Sequence, residues 1–484
     1  MVNELQLDKI IEKLLKEHNT PSLQIAIIQN GEITVNKAYG FRDYDHKIKA
    51  DTNTIYAIGS STKAFTATAI AKLVEEGKLE WDKPVKHYIP EFEMYNKHST
   101  EELTVKDILC HRCGLPRHDY VWNSNNYTGE ELMRKLRYLK PIAPLRYALY
   151  YNNHMYALAG YLIEKVTGKK WCDYINEVIV KPLEMKSTGF NTEKFKQINN
   201  KALPYNNENN EIKFYEYNNT LSSKDSTVGA AGSMFSNAES LIKWVNLNLN
   251  KGNFKGKQII DKKEINECQT PQMINKTMYN LGFEEIDFQS YGLGWFIESF
   301  KGNKVIYHGG NINGFSAMVG FIPGINSGFA YLTNLNASMI QNILSYYIYD
   351  LLLGNVPKDY NDMVLEKYKH FEGLAKKHSE EFKNSFDKDL KPSFDLKEYA
   401  GKFYNPAYGI FEIAYENGEL FYQSKKGKFL LEHLSLNSFL TEIVFGVMKK
   451  PVTIEYKTDI YGKITSINTG IESSLKEGVE FKKI

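Results

Sequence analysis

The sequence predicts an α+β fold with a helical lobe, followed by a small antiparallel β-barrel. Two sets of β-prone runs, near residue 30 and over residues 291–333, enclose a long stretch of short helices. A further set of alternating strands begins near residue 392, after a charged helical segment. Strands from both ends of a segment, with helices between and beside them, are typical of an α+β sandwich with a separate lobe. A cleft is expected between sandwich and lobe.

Length and charge limit the architecture and the partners. A chain of 484 residues exceeds one ordinary core, and we predict domain 1–355, a helical linker 356–391 and a barrel domain 392–484. With 60 basic and 58 acidic residues the net charge is only +2, which argues against nucleic acid and anionic membranes as partners. No apolar run reaches eighteen residues, so no membrane span is expected.

The N-terminal segment and the cysteines indicate a cytoplasmic protein. Apolar residues among charges follow helix spacing rather than the unbroken run of a signal peptide: Leu5, Leu7, Ile10, Ile11, Leu14 and Leu15. Four cysteines are too few for a disulfide framework. Cys110-x-x-Cys113 holds either plain thiols or a metal or redox pair, and the lack of a second ligand pair favours thiols. We therefore expect no metal and no cofactor.

Turn residues and the periodicity of apolar residues predict the order of the helices and strands. Asn30-Gly31 between two β-prone runs predicts a hairpin, and a helix is expected from Ser60 through Glu76. Short helices and polar loops continue to about Asn250. Three or so strands then precede a helix from about Met339 to Leu353.

The C-terminal part combines a helix with a barrel. Residues 356–391 are charged and helical in pattern. Alternating strands follow, joined by turns at Asn417-Gly418, Lys426-Gly427 and Tyr461-Gly462, which predicts a small antiparallel barrel or sandwich. This unit either stabilises the chain, forms one wall of the cleft or mediates oligomerisation.

The segment Gly59-Ser60-Ser61-Thr62-Lys63 has two interpretations. Ser60 or Ser61 would cap the helix through backbone N–H groups. Alternatively Ser60 and Lys63, three residues apart on one helical face, place an amine beside a hydroxyl and activate a nucleophile. Spacing alone does not decide, because Ser-x-x-Lys also occurs at Ser240 and Lys243.

Two further segments offer partners for an activated serine. Tyr151 and Asn153 place a phenol and an amide ahead of a helix, or they form a capped helix start with a packed ring. His308 is expected at the end of a strand, where Gly309-Gly310 would let another backbone or a ligand approach closely. The alternative is a satisfied histidine followed by a turn.

Together, Ser60-x-x-Lys63, Tyr151-x-Asn153 and His308-Gly309-Gly310 resemble the three signature elements of the serine β-lactamase and penicillin-recognising family. The second element is similar to that of class C enzymes, and the third to the His-x-Gly of the esterase and aminopeptidase-like branch. The segments 108–119 and 229–245 also resemble that family, and the likeness covers about residues 5–353. The tail from about Lys391 resembles the lipocalin-like domain of some family S12 peptidases.

The resemblance implies a β-lactamase/transpeptidase-like fold and a role for each residue. Ser60 would form an acyl-enzyme, and Lys63 with Tyr151 would act jointly as base. Asn153 would hold Lys63 and a substrate amide, and the backbone N–H groups of Ser60 and Asn311 would form the oxyanion hole. The residues assigned to substrate and oxyanion binding are Asn153, His308, Gly309, Gly310 and Asn311.

Three functions are weighed. An imidazole at His308 in place of a permanent ammonium favours short peptides, D-amino-acid amides or small esters as acyl substrates. The second function is a class C-like β-lactamase, and the third is a non-catalytic penicillin-binding-like protein that only holds a ligand. The chain is also compatible with a homo-oligomer, although no residue sets the number of subunits.

Overall fold

The computed structural model describes residues 2–123, 127–215, 227–275, 283–387, 389–425, 427–445 and 448–484, with the side chains of 227–228, 445 and 448 left out. The predicted α+β class is confirmed: a large antiparallel sheet carries helices on both faces, and a β-barrel follows. None of the helices in these ranges is long and apolar enough to cross a membrane.

The strands of the first part of the chain are mostly those of the large sheet, with short ribbons between them. In chain order they are β1 (Ser22–Gln29), β2 (Glu32–Asp43), β3 (Ile48–Lys49), β4 (Tyr56–Ala57), β5 (Tyr205–Glu208), β6 (Glu211–Phe214), β7 (Phe235–Ser236), β8 (Asn253–Phe254), β9 (Lys257–Gln258), β10 (Met273–Ile274), β11 (Ile286–Tyr291), β12 (Phe296–Phe300), β13 (Asn303–Ile312), β14 (Phe315–Ile322) and β15 (Ser327–Thr333).

The helices lie between and beside these strands. They are α1 (Glu4–Glu17), α2 (Thr62–Glu75), α3 (Val85–Tyr88), α4 (Lys97–Glu102), α5 (Val105–Leu109), α6 (Tyr120–Asn123), α7 (Gly129–Lys135), α8 (Asn153–Thr167), α9 (Trp171–Ile175), α10 (Thr192–Gln197), α11 (Ala238–Leu249), α12 (Lys262–Cys268), α13 (Ile340–Leu353) and α14 (Tyr360–Asn384).

The large sheet is completed from the two ends of its segment. Its nine strands run in the order β10-β11-β12-β13-β14-β15-β1-β2-β3, so β1 pairs antiparallel with β15. The predicted hairpin at Asn30-Gly31 is confirmed, with φ values of 52° and 87° that suit a tight turn between β1 and β2. The late region contains five strands, β11 to β15, rather than three, because two-residue turns such as Lys301-Gly302 divide the runs.

Both faces of this sheet are covered. Along β1, Leu23, Ile25 and Ile27 belong to a core formed with α1 and α13, whereas Ala26 and Ile28 face the core shared with the helical lobe. This alternation follows from the two-residue period of a strand. Most residues of helix α2, which follows Ser60, are buried.

The C-terminal unit is a nearly closed barrel of nine antiparallel strands, which follows helix α14. Its strands are β16 (Gly401–Asn405), β17 (Gly409–Glu416), β18 (Glu419–Ser424), β19 (Gly427–Leu430), β20 (Glu432–Ser435), β21 (Ser438–Phe445), β22 (Met448–Thr458), β23 (Ile464–Thr469) and β24 (Val479–Lys483). The order β19-β18-β17-β16-β24-β23-β22-β21-β20 makes the two edge strands consecutive in the chain.

The predicted turns of the barrel have different outcomes. Asn417-Gly418 joins β17 to β18 with φ of 52° and 88°, and Gly462, with φ of 79°, lies between β22 and β23. Lys426, in the predicted Lys426-Gly427 turn, lies outside the described residues. Leu436, with φ of 47°, adds a turn that the sequence did not reveal, between β20 and β21.

The barrel contacts the helical lobe through polar groups. The His118 backbone N–H donates to the Glu472 carboxylate at 2.7 Å, and the ring Nδ1 of His118 lies 2.6 Å from the Tyr408 hydroxyl. The hydroxyls of Tyr120 and Tyr422 are also hydrogen-bonded, and Lys140 pairs with Glu477 at 2.8 Å. The barrel therefore supports the loop around His118, which leads to the site described next.

Candidate active site

Ser60 lies in a short 3₁₀ turn, Gly59–Ser61, that leads into α2. Neither this turn nor α2 has a side-chain cap, so the helix-cap interpretation of the serines is wrong. The hydroxyl of Ser61 instead donates to the backbone oxygen of His308 at 3.0 Å and ties the turn to β13. Ser60 is left with its side chain partly exposed to a cavity.

The amine of Lys63 is buried among three oxygen atoms. Its Nζ lies 3.1 Å from Ser60 Oγ, 2.9 Å from Asn153 Oδ1 and 2.7 Å from the backbone oxygen of Ala231. The two carbonyl-type oxygens can only accept, so they take two N–H groups of the amine. In a neutral amine this leaves the lone pair directed toward the Ser60 hydroxyl.

Burial holds the pKa of Lys63 well below its ordinary value, because the charged form loses its hydration. The positive charge of Arg117 lowers the pKa of Lys63 further, and the negative charge of Asp119 opposes this. The side chain of Lys63 is fully buried. Burial therefore favours the neutral form of Lys63, which is the form that can accept a proton from Ser60.

Tyr151 and Asn153 lie at the N-terminus of α8. The Asn152 side chain caps this helix by accepting from the Met155 N–H at 3.2 Å, which leaves Tyr151 and Asn153 for the site. Asn153 accepts from Lys63 through Oδ1 and donates through Nδ2 to Asp119 Oδ1 at 3.0 Å. The Tyr151 ring centroid lies 4.9 Å from the Lys63 amine.

Sequence reasoning missed two charged residues of the site, Arg117 and Asp119. The Asp119 carboxylate receives hydrogen bonds from Arg117 Nε at 2.5 Å and from Asn153, and the Arg117 guanidinium lies 5.4 Å from the Tyr151 ring centroid. Both belong to the segment 108–119, which the sequence singled out only by resemblance. A charged Arg-x-Asp pair directly after Gly114-Leu115-Pro116 was the available signal.

His308 lies in the middle of β13 and not at a strand end, and Gly309-Gly310 continue the strand instead of forming a turn. The imidazole is buried, with Nδ1 2.6 Å from the Gly309 oxygen and Nε2 3.0 Å from the Tyr291 hydroxyl. Nδ1 must then be the protonated nitrogen, since a carbonyl only accepts. Burial lowers the pKa of His308 to about 3, so the ring is neutral.

The turn around Ser60 takes the place of a strand beside β13. Pairing of β13 with β12 ends at Tyr307, and the described residues place no strand on that side of 308–312. A Cβ placed on Gly310 would lie 1.9 Å from the oxygen of Ile58 and 2.9 Å from the nitrogen of Ser60. A Cβ placed on Gly59 would lie 2.9 Å from the nitrogen of Asn311. Glycine at both positions therefore allows the two backbone nitrogens to come close together.

Part of this site lines one cavity of about 480 Å³. Its wall also includes Ser474 of the barrel. The other lining residues are Ser60, Pro116, Arg117, Ile142, Leu149, Tyr150, Tyr151, Asn275, Phe296, Glu298, Tyr307, His308, Gly309, Asn311, Met318, Gln341, Asn342, Ser345, Tyr346 and Tyr349.

Metal ligands and cysteines do not contribute to this arrangement. Among the residues that the structure describes, no group of three or more His, Cys, Asp and Glu side chains could hold a metal ion. Cys110 and Cys113 are buried free thiols, and burial raises the pKa of both to about 12. A hydroxyl, a neutral amine and adjacent backbone N–H groups can instead carry out nucleophilic acyl transfer.

Comparison with known proteins agrees with this chemistry. The sequence profile of the Beta-lactamase family matches residues 7–351, and that of a domain of unknown function, DUF3471, matches residues 387–483. Protein flp of Staphylococcus aureus (strain N315) is 30% identical over 355 residues, covering 71% of this chain and 66% of that protein. The chain thus spans slightly less than two thirds of that curated relative.

Two solved structures share the fold. The octameric penicillin-binding protein homologue from Pyrococcus abyssi aligns over 99% of both chains, with a TM-score of 0.66 and 22% identity. A D-stereospecific amidohydrolase from Streptomyces sp. aligns over 73% of this chain and 100% of its own, with a TM-score of 0.59 and 21% identity. The family profile covers most of the chain, and the chain therefore belongs to the beta-lactamase family.

Proposed function

We propose that the chain hydrolyses short peptides, D-amino-acid amides or small esters through an acyl-enzyme on Ser60. The observation that carries this proposal is the buried amine of Lys63, 3.1 Å from the Oγ of Ser60, which lines a cavity together with Asn311. The Streptomyces amidohydrolase supports an amide as substrate only by similarity of fold. The cytoplasmic location stays a prediction.

In the proposed first step the Ser60 hydroxyl passes its proton to Lys63 Nζ while Oγ forms a bond to the substrate carbonyl carbon. The negative charge that develops on the carbonyl oxygen accepts hydrogen bonds from the backbone N–H groups of Ser60 and Asn311. The tetrahedral intermediate then expels the amine or alcohol, which takes a proton from Tyr151 or from Lys63. Water attacks the acyl-enzyme in a second round and regenerates the Ser60 hydroxyl.

The state of His308 favours this function over a β-lactamase. A substrate carboxylate is bound best by a cation, and the pKa of about 3 leaves His308 uncharged at neutral pH. Arg117, the cation that lines the cavity, is already paired with Asp119. We therefore propose that a terminal carboxylate is not required for recognition.

The decisive experiment is the intact mass of the protein after treatment with a fluorophosphonate or a penicillin, with peptide mapping. We expect a fluorophosphonate adduct on Ser60, only transient acylation by penicillin, and no adduct in Ser60→Ala. A stable penicillin adduct would favour a transpeptidase-like function. If neither reagent formed an adduct, the acyl-enzyme would be refuted. A protein that binds a ligand without catalysis would then be the remaining function.

Replacing Arg117 by glutamine is expected to move the acidic limb of the pH profile of kcat/KM to higher pH. Arg117 lowers the pKa of Lys63, so its removal raises that pKa and keeps the amine protonated over a wider acidic range. The side chain of Arg117 is 54% exposed, so we expect a shift of roughly one pH unit or less. Arg134→Gln, an exposed arginine on α7, is the control and should leave the limb in place.

We further propose that the barrel acts as one wall of the site and that the chain assembles into a homo-oligomer. Ser474 lines the cavity, and Glu472 and Tyr408 hold His118, which is between Arg117 and Asp119. The octameric state of the Pyrococcus abyssi homologue supports assembly by analogy.

A further inference from the structure

The cavity continues past Ser60 to a second region beneath helix α13. Gly309 also lines the cavity, and a Cβ there would lie 2.8 Å from Gln341 Nε2, so glycine allows α13 to pack close to β13. This second region, the α13 pocket, is lined by Glu298, Tyr307, Met318, Ser345, Tyr346 and Tyr349. No step of the proposed mechanism uses these residues.

The α13 pocket contains a buried carboxylate with one free oxygen. Glu298 is only 1% exposed, and its Oε2 accepts from Gln289 Nε2 at 2.8 Å and from the Tyr307 hydroxyl at 3.0 Å. Both bonds end on the same oxygen. None of the described residues donates a hydrogen bond to Oε1. This oxygen is also not completely enclosed by the protein. Since Glu298 lines the cavity, Oε1 faces that space.

Aromatic rings connect this carboxylate to the reaction centre. The Tyr151 ring stacks on Phe296 at a centroid distance of 6.4 Å, and Phe296 stacks on Tyr307 at 5.6 Å. Tyr307 in turn donates to Glu298. The carboxylate is therefore two ring spacings from the ring beside Lys63, along a continuous aromatic wall.

We propose that the α13 pocket binds a protonated amine of the substrate, with Glu298 Oε1 as its counter-ion and the tyrosine rings around it. This assignment rests on the proposed acyl-enzyme function, whose substrate class it narrows. A carboxylate beside aromatic faces is the combination that recognises an ammonium group, through an ion pair and cation–π attraction. A ligand without a donor group would leave Oε1 of this buried carboxylate without a hydrogen bond, which is costly.

The spacing along the aromatic wall restricts the position of the amine relative to the scissile carbonyl of the substrate. An α-ammonium nitrogen is only roughly 2.5 Å from its own carbonyl carbon, too short to span two ring spacings. The pocket therefore suits an amine separated from the scissile carbonyl by several bonds. The N-terminus of a di- or tripeptide, or the side chain of a basic residue, has this geometry.

The groups around Glu298 are compatible with a cation. Burial raises the pKa of Glu298 to about 7, so the carboxylate is ionised at pH 8 and a nearby ammonium would ionise it further. The titratable groups that face it are Tyr307 on β13 and Tyr346 and Tyr349 on α13, and burial raises the pKa of all three well above the ordinary value. On β11 its contact is the uncharged Gln289.

The test compares two esters at pH 8, 4-nitrophenyl 6-aminohexanoate and the uncharged 4-nitrophenyl heptanoate. In Glu298→Gln, which keeps the size of the side chain and removes its charge, we expect kcat/KM for the amino ester to fall tenfold or more. The value for the heptanoate should stay within about twofold. Glu264→Gln, a buried glutamate bonded to Trp81 and not lining the cavity, should leave the ratio of the two rates unchanged.

A second measurement separates this proposal from the proposed function. Calorimetry with hexylamine and hexanol on Ser60→Ala reports binding without catalysis. Tighter binding of the amine, lost in the double variant Ser60→Ala/Glu298→Gln, supports the pocket even if the wild type cleaves no ester. Equal affinity for amine and alcohol, or a parallel loss of both ester activities in Glu298→Gln, overturns it.

Discussion

Replacing Lys63 by methionine is expected to lower kcat/KM for ester hydrolysis by about 10⁴-fold or more, because the Ser60 proton then has no acceptor. The same change should not unfold the protein. Methionine fills a similar volume, and the fully buried amine carries a free-energy cost that the thioether does not. Steady-state kinetics on a chromogenic ester measures the first effect, and denaturant unfolding measures the second.

The stability effect has a defined pH dependence. The pKa of Lys63 is lower in the folded chain than in the unfolded one, so between the two values the unfolded chain binds one proton more. The stability contributed by the lysine therefore rises with pH in that window, by about 1.4 kcal/mol per unit. We expect the free energy of unfolding of Lys63→Met, relative to wild type, to decline as the pH rises toward ~10.

The control for this experiment is on the same helix. Lys72 is partly exposed and pairs with Glu75 at 2.7 Å, so Lys72→Met should change neither the rate nor the pH dependence by much. A Lys63→Met protein with activity within tenfold of wild type would remove Lys63 from the role of base.

Replacing Gly310 by alanine is expected to impair both the rate and the stability. The new Cβ would lie 1.9 Å from the oxygen of Ile58, which is backbone and cannot rotate away. The turn must then move from β13, and the Ser60 and Asn311 nitrogens separate. Losing one oxyanion donor costs about 10²- to 10³-fold in kcat, and overpacking costs about 1–3 kcal/mol of unfolding free energy.

Gly324→Ala serves as the matched control, since Gly324 lies in the turn between β14 and β15 and no atom lies within 4 Å of a Cβ at that position. Its activity and melting temperature should match those of the wild type. If Gly310→Ala retained full activity and an unchanged Tm, the close contact between the turn and β13 would not matter for catalysis.

Local spacing made part of this site predictable. Ser60 and Lys63 are three residues apart, and the helical backbone alone brings an i and i+3 pair together. The hairpin at Asn30-Gly31 and the helix at 340–353 were predictable for the same reason, because turn residues and apolar periodicity act over a few positions.

The rest of the site depends on contacts between distant segments. Asp119 contacts Asn153, which lies 34 residues away in the chain. No pattern in the sequence predicts this contact. Glu298 shares a face of β12 with Phe296 and Phe300, because side chains two residues apart on a strand point the same way, but no pattern in the sequence predicts how a buried carboxylate is accommodated there. It is buried because this sheet is covered on both faces. His308 was expected at a strand end because a Gly-Gly pair usually ends a strand, whereas here the glycines accommodate the Ser60 turn.

The pairing of β1 with β15 has a consequence for biosynthesis. The N-terminal hairpin occupies the interior of the sheet, yet its partner strand ends at Thr333, about three hundred residues later in translation. At a synthesis rate of about 5–20 residues per second the hairpin waits roughly 15–60 s with one edge unpaired. The strand Ser22–Gln29 is apolar on both faces, so the nascent chain exposes an aggregation-prone edge during that interval. Folding of this chain is thus limited by completion of its central sheet, and chaperone binding to the emerging hairpin would protect it until β15 leaves the ribosome.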